Sequence, residues 1–243
     1  MKQGLFQIIE NTPLTREVSR MVLAGDTTAI KTPGQFLNIA LDGFFLRRPI
    51  SVCDWTRGKV TILYKVVGQG TRRMRVMQPG ETLDILTGLG NGYDMTKSGD
   101  TPLLIGGGVG VPPLYGLAKR LISQGKKPQA ILGFNTRDEV FYAEDFAALG
   151  CTVAVTTVDG SLGAKGFVTA AMAGRKPTYL YACGPEVMLK AVYDAALCDG
   201  QFSFEERMGC GFGACMGCSC QTKYGNKRIC KEGPVLERGE ILW

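Results

Sequence analysis

The chain has 243 residues, 45% of them hydrophobic and 21% charged, with 28 Lys and Arg against 22 Asp and Glu for a formal charge of +6, and it has no histidine. That composition is ordinary for a globular protein with a sizeable core. The missing imidazole excludes Ser-His-Asp hydrolysis, Rieske-type clusters, Cys2His2 zinc sites and histidine proton shuttles. The mild positive charge suits anionic cofactors or an acidic protein partner, and no interleaving of aromatic with basic residues argues for nucleic acid.

Gly, Pro or charge interrupts every apolar run before it reaches membrane-spanning length. The start, MKQGLFQIIENTP, has no apolar core of the signal-peptide kind. Nine cysteines, an odd number, without an export signal predict a reducing cytoplasm and no membrane association.

Residues 1–98 read as β-rich. Short apolar runs recur at Phe6–Ile9, Val18–Ala24, Gln35–Leu41, Ile50–Trp55, Val60–Val67 and Thr82–Leu86, parted by Pro, Gly, Asp and Asn, the rhythm of a small antiparallel barrel. Within Val60–Val67 the alternation leaves one face more polar than the other. One helix is predicted at Thr71–Met77, with Thr71 placed to cap it. Two features here invite an anionic cofactor. Arg48-Pro49-Ile50-Ser51 opens a strand, where an arginine forks onto pyrophosphate and a serine hydrogen-bonds a flavin ring. Gly70-Thr71 begins a helix, whose free N–H groups attract phosphate. Each alone also reads as a plain strand entry or helix start.

From Thr101 the rhythm becomes strand, helix, strand, with Lys97-Ser98-Gly99-Asp100 as the linker. Strands are predicted at Leu103–Ile105, Ala130–Phe134, Cys151–Thr157, Tyr179–Ala182 and Phe202–Phe204, and helices at Pro112–Ser123, Asp138–Leu149, Gly166–Ala173 and Pro185–Leu197. This alternation predicts a doubly wound parallel sheet with its ligand at the carboxyl ends of the strands. The turn Gly106-Gly107-Gly108-Val109-Gly110-Val111 joins a strand to a helix as a dinucleotide site does, although Val111 stands at the last glycine position of G-x-G-x-x-G; a tight structural turn explains it equally. Cys183-Gly184-Pro185 ends another strand at the same sheet edge, where a small soft thiol either borders a nicotinamide or is a buried structural cysteine. Asp159-Gly160-Ser161 closes a third strand there, and Arg137 offers a cation for a 2′-phosphate.

The last segment carries the most specific signal. Cys210, Cys215 and Cys218 stand at C-x4-C-x2-C, and Cys230 follows a polar excursion. Four thiolates at this spacing match a plant-type 2Fe–2S site, in which interspersed glycines bring N–H groups to the sulfurs. Structural zinc instead pairs two short knuckles, and disulfide frameworks belong to small secreted chains. Cys220 is surplus to four ligands: it reads as a bystander first and as a substitute ligand second.

RPIS, the Gly70-Thr71 turn, GGGVGVPPL, ACGP and ERMGCGFGACMGC occur in one order, and over nearly its whole length the chain resembles the electron-transfer subunits of class 1B dihydroorotate dehydrogenases, within the ferredoxin-reductase superfamily. The resemblance implies an FAD-binding barrel over 1–98, an NAD-binding α/β domain over 99–204 and a 2Fe–2S lobe over 205–243. It implies FAD contacts at Arg48 to Ser51, at Leu63, Tyr64 and Lys65, and at Gly70 and Thr71. Cys210, Cys215, Cys218 and Cys230 would ligate the cluster. Electrons would pass between NAD and, through FAD and the cluster, an FMN-containing subunit that oxidises dihydroorotate to orotate, in a 2+2 assembly. The same module serving another enzyme, such as a sulfide dehydrogenase or an NAD(P)–ferredoxin oxidoreductase, is the alternative. The chain itself has no eight-fold βα pattern for a substrate barrel.

Overall fold

The computed structural model describes residues 1–243. Six strands, β1 (Lys2–Pro13), β2 (Val18–Ala24), β3 (Phe36–Ile39), β4 (Arg48–Thr56), β5 (Lys59–Lys65) and β6 (Thr82–Leu89), close a barrel in the order β1-β2-β5-β4-β3-β6, every pair antiparallel. Strand alternation fills it. On β5, Val60, Ile62 and Tyr64 point into the barrel core, while Leu63 points out into a second core shared with the following domain.

The barrel helix α1 runs Gln69–Val76, two residues earlier than the predicted Thr71 start. Gly68 is its N-cap, and Thr71 is the third helical residue, its hydroxyl accepting the N–H groups of Val67 (3.0 Å) and Gly68 (3.2 Å). Thr71 therefore closes the helix start from inside, as the N3 member of a capping box does, rather than from the cap position.

The second domain has β7 (Leu103–Gly107), α2 (Val111–Ser123), β8 (Gln129–Phe134), α3 (Ala143–Leu149), β9 (Thr152–Thr157), β10 (Ala164–Lys165), β11 (Leu180–Cys183), α4 (Glu186–Ala195) and β12 (Gly200–Ser203). Its strands lie parallel in the order β10-β9-β8-β7-β11-β12. Two predicted helices are shorter than expected. Over Asp138–Leu149 only α3 is helical: the Glu139 carboxylate takes the Asn135 side-chain N–H at 2.8 Å, folding Arg137–Glu139 into a 3-10 turn. Tyr142 then adopts a left-handed φ of 65° that stops any helix from running through it. Gly166–Ala173 is reduced to a 3-10 turn, Val168–Ala171, after Gly166 at φ 113°.

The C-terminal segment forms a hairpin of β13 (Ser219–Thr222) and β14 (Gly225–Arg228). It returns through β15 (Val235–Glu237), which adds an antiparallel edge to β12. None of these three strands is predictable from periodicity, because each has only three or four residues.

Two shared cores bind the parts together. One joins Cys53 and Leu63 of the barrel to Leu114 and Leu117 of α2. Gly116 permits the close approach, since a Cβ there would fall 2.5 Å from the Cys53 carbonyl oxygen. Lys119 pairs with Asp54 at 2.6 Å, and the Arg120 guanidinium lies 3.4 Å from the Trp55 ring centre. The other core joins Phe36, Leu86 and Leu89 of the barrel to the sheet and to Cys218, Ile229 and Cys230 of the last segment. No helix is long and apolar enough to cross a membrane.

Candidate functional site

The barrel motifs meet where two strands part. The β4–β5 ladder runs only from Thr56↔Lys59 to Val52↔Ile62, with a bulge between Val52 and Asp54. Beyond it Arg48–Ser51 pair only with β3, and Leu63–Lys65 only with β2. The two predicted flavin segments thus line a fork whose facing edges are left without ladder partners, which suits a ligand that reads backbone. The Tyr64 side chain is not part of that surface, because its hydroxyl donates to Asn11 Oδ1 at 2.9 Å inside the barrel. Lys65 is exposed and pairs with Glu17 at 3.0 Å.

Arg48 and Gly70 are brought into contact across the barrel end. A Cβ on Gly70 would lie 2.2 Å from Arg48 Nε, and the guanidinium also stacks 4.5 Å from the Phe44 ring centre. A cation is held at the first turn of a helix that has no acidic residue there. Helix N–H groups and a guanidinium so placed suit a phosphate.

The nicotinamide motifs converge at the point where the strand order reverses, between β7 and β11. Cys183 pairs in register with Gly106. A Cβ on Gly110 would fall 2.2 Å from the Cys183 carbonyl oxygen, and one on Gly184 would lie 3.2 Å from the Gly107 nitrogen, so the two turns pack backbone on backbone. Gly108, at φ 52°, has nothing within 4 Å of its missing Cβ, which leaves the turn open to a ligand. Val111 occupies the position of the last fingerprint glycine because its side chain packs over Gly106, 2.9 Å from where a Cβ would be. Pro185 is the N-cap of α4. Cys183 is partly exposed as a residue, yet burial of its thiol pushes it up to about 12 despite the Ser203 and Tyr93 hydroxyls, so it is a neutral thiol and not a nucleophile. Arg137 lies in the neighbouring loop, where its N–H donates to Ser161 Oγ at 2.7 Å.

The four cysteines fall into two pairs. Cys210 Sγ accepts the N–H groups of Ala214 (3.2 Å) and Cys215 (3.5 Å), and Cys215 Sγ accepts those of Cys210 and Gly217, both at 3.5 Å. Cys218 Sγ accepts the Cys230 N–H at 3.4 Å. This pairing suits a two-iron cluster, which takes one pair per iron and tolerates N–H groups aimed at sulfur. Burial opposes ionisation of Cys210, but N–H groups of Phe212, Cys215 and Ala214 with the Cys215 thiol outweigh it and lower the group to about 6. Cys230 is pushed up to about 12, first by burial and then by the Cys218 thiol beside it. Cys218 and Cys230 are buried while Cys215 is exposed, beside Phe212 and Met216 at the surface. One side of this site therefore faces the core and the other faces solvent. Met216, between two of the cysteines, holds a left-handed φ of 60°, the kind of strain that collects at functional loops.

Cys220 lies on β13 opposite Lys227, and its thiol donates to the Gln221 carbonyl at 3.7 Å rather than to any of the four sulfurs. Its thiol is raised by burial and by Glu206 and Glu186. It lines a cavity of about 220 Å³ with Gly184 and Trp243. A cavity of about 480 Å³ between barrel and α3, lined by Arg20, Asp54, Tyr115 and Tyr142, contains none of the motif residues.

Three residues that support the site carry no motif. Arg228 donates to the Gly213 carbonyl at 2.6 Å and pairs with Glu232. Asn91 joins the barrel to the last segment, donating through Nδ2 to the Val235 carbonyl at 2.7 Å and accepting the Val235 N–H at 3.1 Å. Asn38 reaches the Cys210 carbonyl at 3.2 Å. In sequence each reads as a turn or surface residue.

Residues 205–242 match the iron-sulfur cluster binding domain of dihydroorotate dehydrogenase B, and residues 104–194 match the oxidoreductase NAD-binding domain. The electron transfer subunit of dihydroorotate dehydrogenase B (NAD(+)) from Fusobacterium nucleatum subsp. nucleatum is 44% identical over 96% of this chain and 95% of its own. The subunit of the same name from Geobacillus sp. is 40% identical over 100% of this chain and 99% of its own. Among solved structures, that of an NADH-dependent reduced ferredoxin–NADP oxidoreductase, studied for flavin-based electron bifurcation, superposes with a TM-score of 0.90 at 30% identity, covering 99% of this chain and 90% of that one.

Proposed function

The chain belongs to the family of dihydroorotate dehydrogenase B electron-transfer subunits, and from that membership we propose how its parts serve the reaction. It is the electron-transfer component of an NAD-dependent oxidoreductase, using FAD and a 2Fe–2S cluster and working with a catalytic dihydroorotate dehydrogenase subunit. The finer reading is ours: a cytoplasmic complex of two such chains with two FMN-containing partners, which oxidises dihydroorotate to orotate and delivers the electrons to NAD.

When bound, the flavin exchanges hydride with nicotinamide and single electrons with the cluster. The protein's part is to place and insulate these groups. Gly106, Gly107, Gly108 and Gly110 let a dinucleotide approach the start of α2, and Gly184 and Pro185 close the other side of the crevice. Arg48 and the start of α1 hold the flavin phosphates, and the fork between β4 and β5 orients the ring through backbone groups. Cys210 and Cys215 take one iron, Cys218 and Cys230 the other, with the exposed Cys215 edge turned to the partner.

The observation that carries this reading is the two-pair arrangement of the sulfurs on a core shared with barrel and sheet. The fold alone does not choose the partner, because the ferredoxin–NADP oxidoreductase has the same architecture; the higher identity to the dihydroorotate dehydrogenase subunits supports the choice. Anaerobic isolation of the tagged chain tests it. A co-eluting FMN-containing subunit that confers dihydroorotate:NAD activity supports the proposal. A larger iron–sulfur partner without that activity sinks it. Alone, the chain should oxidise NADH with artificial acceptors and leave dihydroorotate untouched.

A further inference from the structure

Asn38 is a polar side chain where burial would favour an apolar one. It is 1% exposed, on the outer face of β3 next to Phe36, which packs into the core beneath the cysteines. Its partner on β4 is Pro49, inside the segment that parts from β5. Its Nδ2 donates to the Cys210 carbonyl at 3.2 Å, the only hydrogen bond between the barrel and residues 205–220. Its Oδ1 is buried without a partner. Gly211 is moulded to it: φ there is +80°, and a Cβ would fall 2.3 Å from Nδ2. Leaving an amide oxygen unpaired in the interior is costly, and a leucine of similar size would avoid that cost. What the amide supplies and leucine would not is the grip on Cys210.

We propose that Asn38 is a positioning residue that fixes the first cluster ligand against the flavin strand and so sets the electronic coupling between flavin and cluster. This rests on the flavin and cluster sites proposed above. Phe36 and Asn38 share one strand, so the amide bond ties the Cys210 loop to a strand that is itself anchored in the core of Cys218 and Cys230. Groups that orient a metal ligand from behind in this way tune the metal as well as hold it.

The test uses the loaded protein and three variants: Asn38→Ala, Gly211→Ala and the double substitution. Asn38→Ala removes the grip, and Gly211→Ala pushes the amide off it. Bleaching of the flavin by NADH should stay within about twofold of the parent, while reduction of the cluster slows by about tenfold or more. The electron paramagnetic resonance spectrum and potential of the reduced cluster should change in both single variants, whereas a merely structural role would lower the melting temperature, as the strained Gly211→Ala also does, and leave the spectrum and potential of the loaded fraction parent-like. The double variant should be no worse than the worse single one, since both act on the same contact. If Asn38→Ala loses its cofactors, Gly211→Ala carries the spectroscopic comparison with the amide still present. Parent-like spectra and cluster reduction in both single variants, or additive effects in the double one, would overturn the role. A parent protein with no iron, or one that NADH cannot bleach, would instead overturn the reading of its function.

Discussion

Arg228 makes its neighbours legible as a clasp: it holds the Gly213 carbonyl from one side and the Glu232 carboxylate from the other, so β14 restrains the loop that carries Cys210 and Cys215. The side-chain hydrogen bond from Arg228 lowers Glu232 from about 4.5 to about 2. A carboxyl whose folded pKa is depressed stabilises the fold above its unfolded pKa and loses that contribution as pH falls through the folded value. Wild type should therefore melt above Glu232→Gln near neutral pH, with the gap narrowing as pH falls below about 4.5 toward 2; a gap independent of pH would refute the clasp. The cysteines separate more sharply. Cys230→Ser should lose most bound iron and acid-labile sulfide, while Cys220→Ser should retain both, because the Cys220 thiol is hydrogen-bonded to the Gln221 carbonyl and not to the two sulfur pairs. The proposed ligand set is legible in the sequence because thiolate chemistry at fixed spacing has few other uses. Arg228 and Asn38 are not, since a single polar residue acquires its role only from what folds against it.

Strand ends and helix starts carry the proposed cofactor sites. The fork proposed for the flavin exists because β4 pairs with β5 over only part of its length, and periodicity, which marks strands one at a time, cannot reveal where two of them part. Gly70→Ala should drive the Arg48 guanidinium from the start of α1, weakening FAD by about tenfold or more in flavin-release assays, a loss of roughly 1.4 kcal/mol or more. Gly110→Ala meets backbone rather than a movable side chain, at the Cys183 carbonyl. It should abolish bleaching by NADH while FAD and iron stay bound; normal bleaching would remove the nicotinamide from this turn. The helix predicted over Asp138–Leu149 fails in its first half because Tyr142 takes a left-handed φ and sets its ring edge-on to Tyr115 at 5.0 Å, a contact between distant segments.

The whole molecule behaves as one body because α2 and the last segment each bury apolar surface against the barrel. Leu117 is fully buried at the first junction. Leu117→Ala should cost about 2–5 kcal/mol in denaturant unfolding, and it should slow NADH-dependent bleaching more than it weakens either cofactor alone, since it loosens the joint between their domains. Equal losses in folding and binding with unchanged bleaching of the loaded fraction would show that the joint only stabilises.

The amino-acid sequence determined the barrel, the parallel sheet, the two glycine turns and the four cysteines, because alternation, turn chemistry and ligand spacing are written over a few consecutive residues. Tertiary structure decided which sulfurs pair, where β4 leaves β5, that Gly110 meets Cys183, and that Asn38 reaches Cys210. Those are contacts between segments up to 172 positions apart, fixed only when the shared cores close and buried polar groups take their partners from what lies nearby.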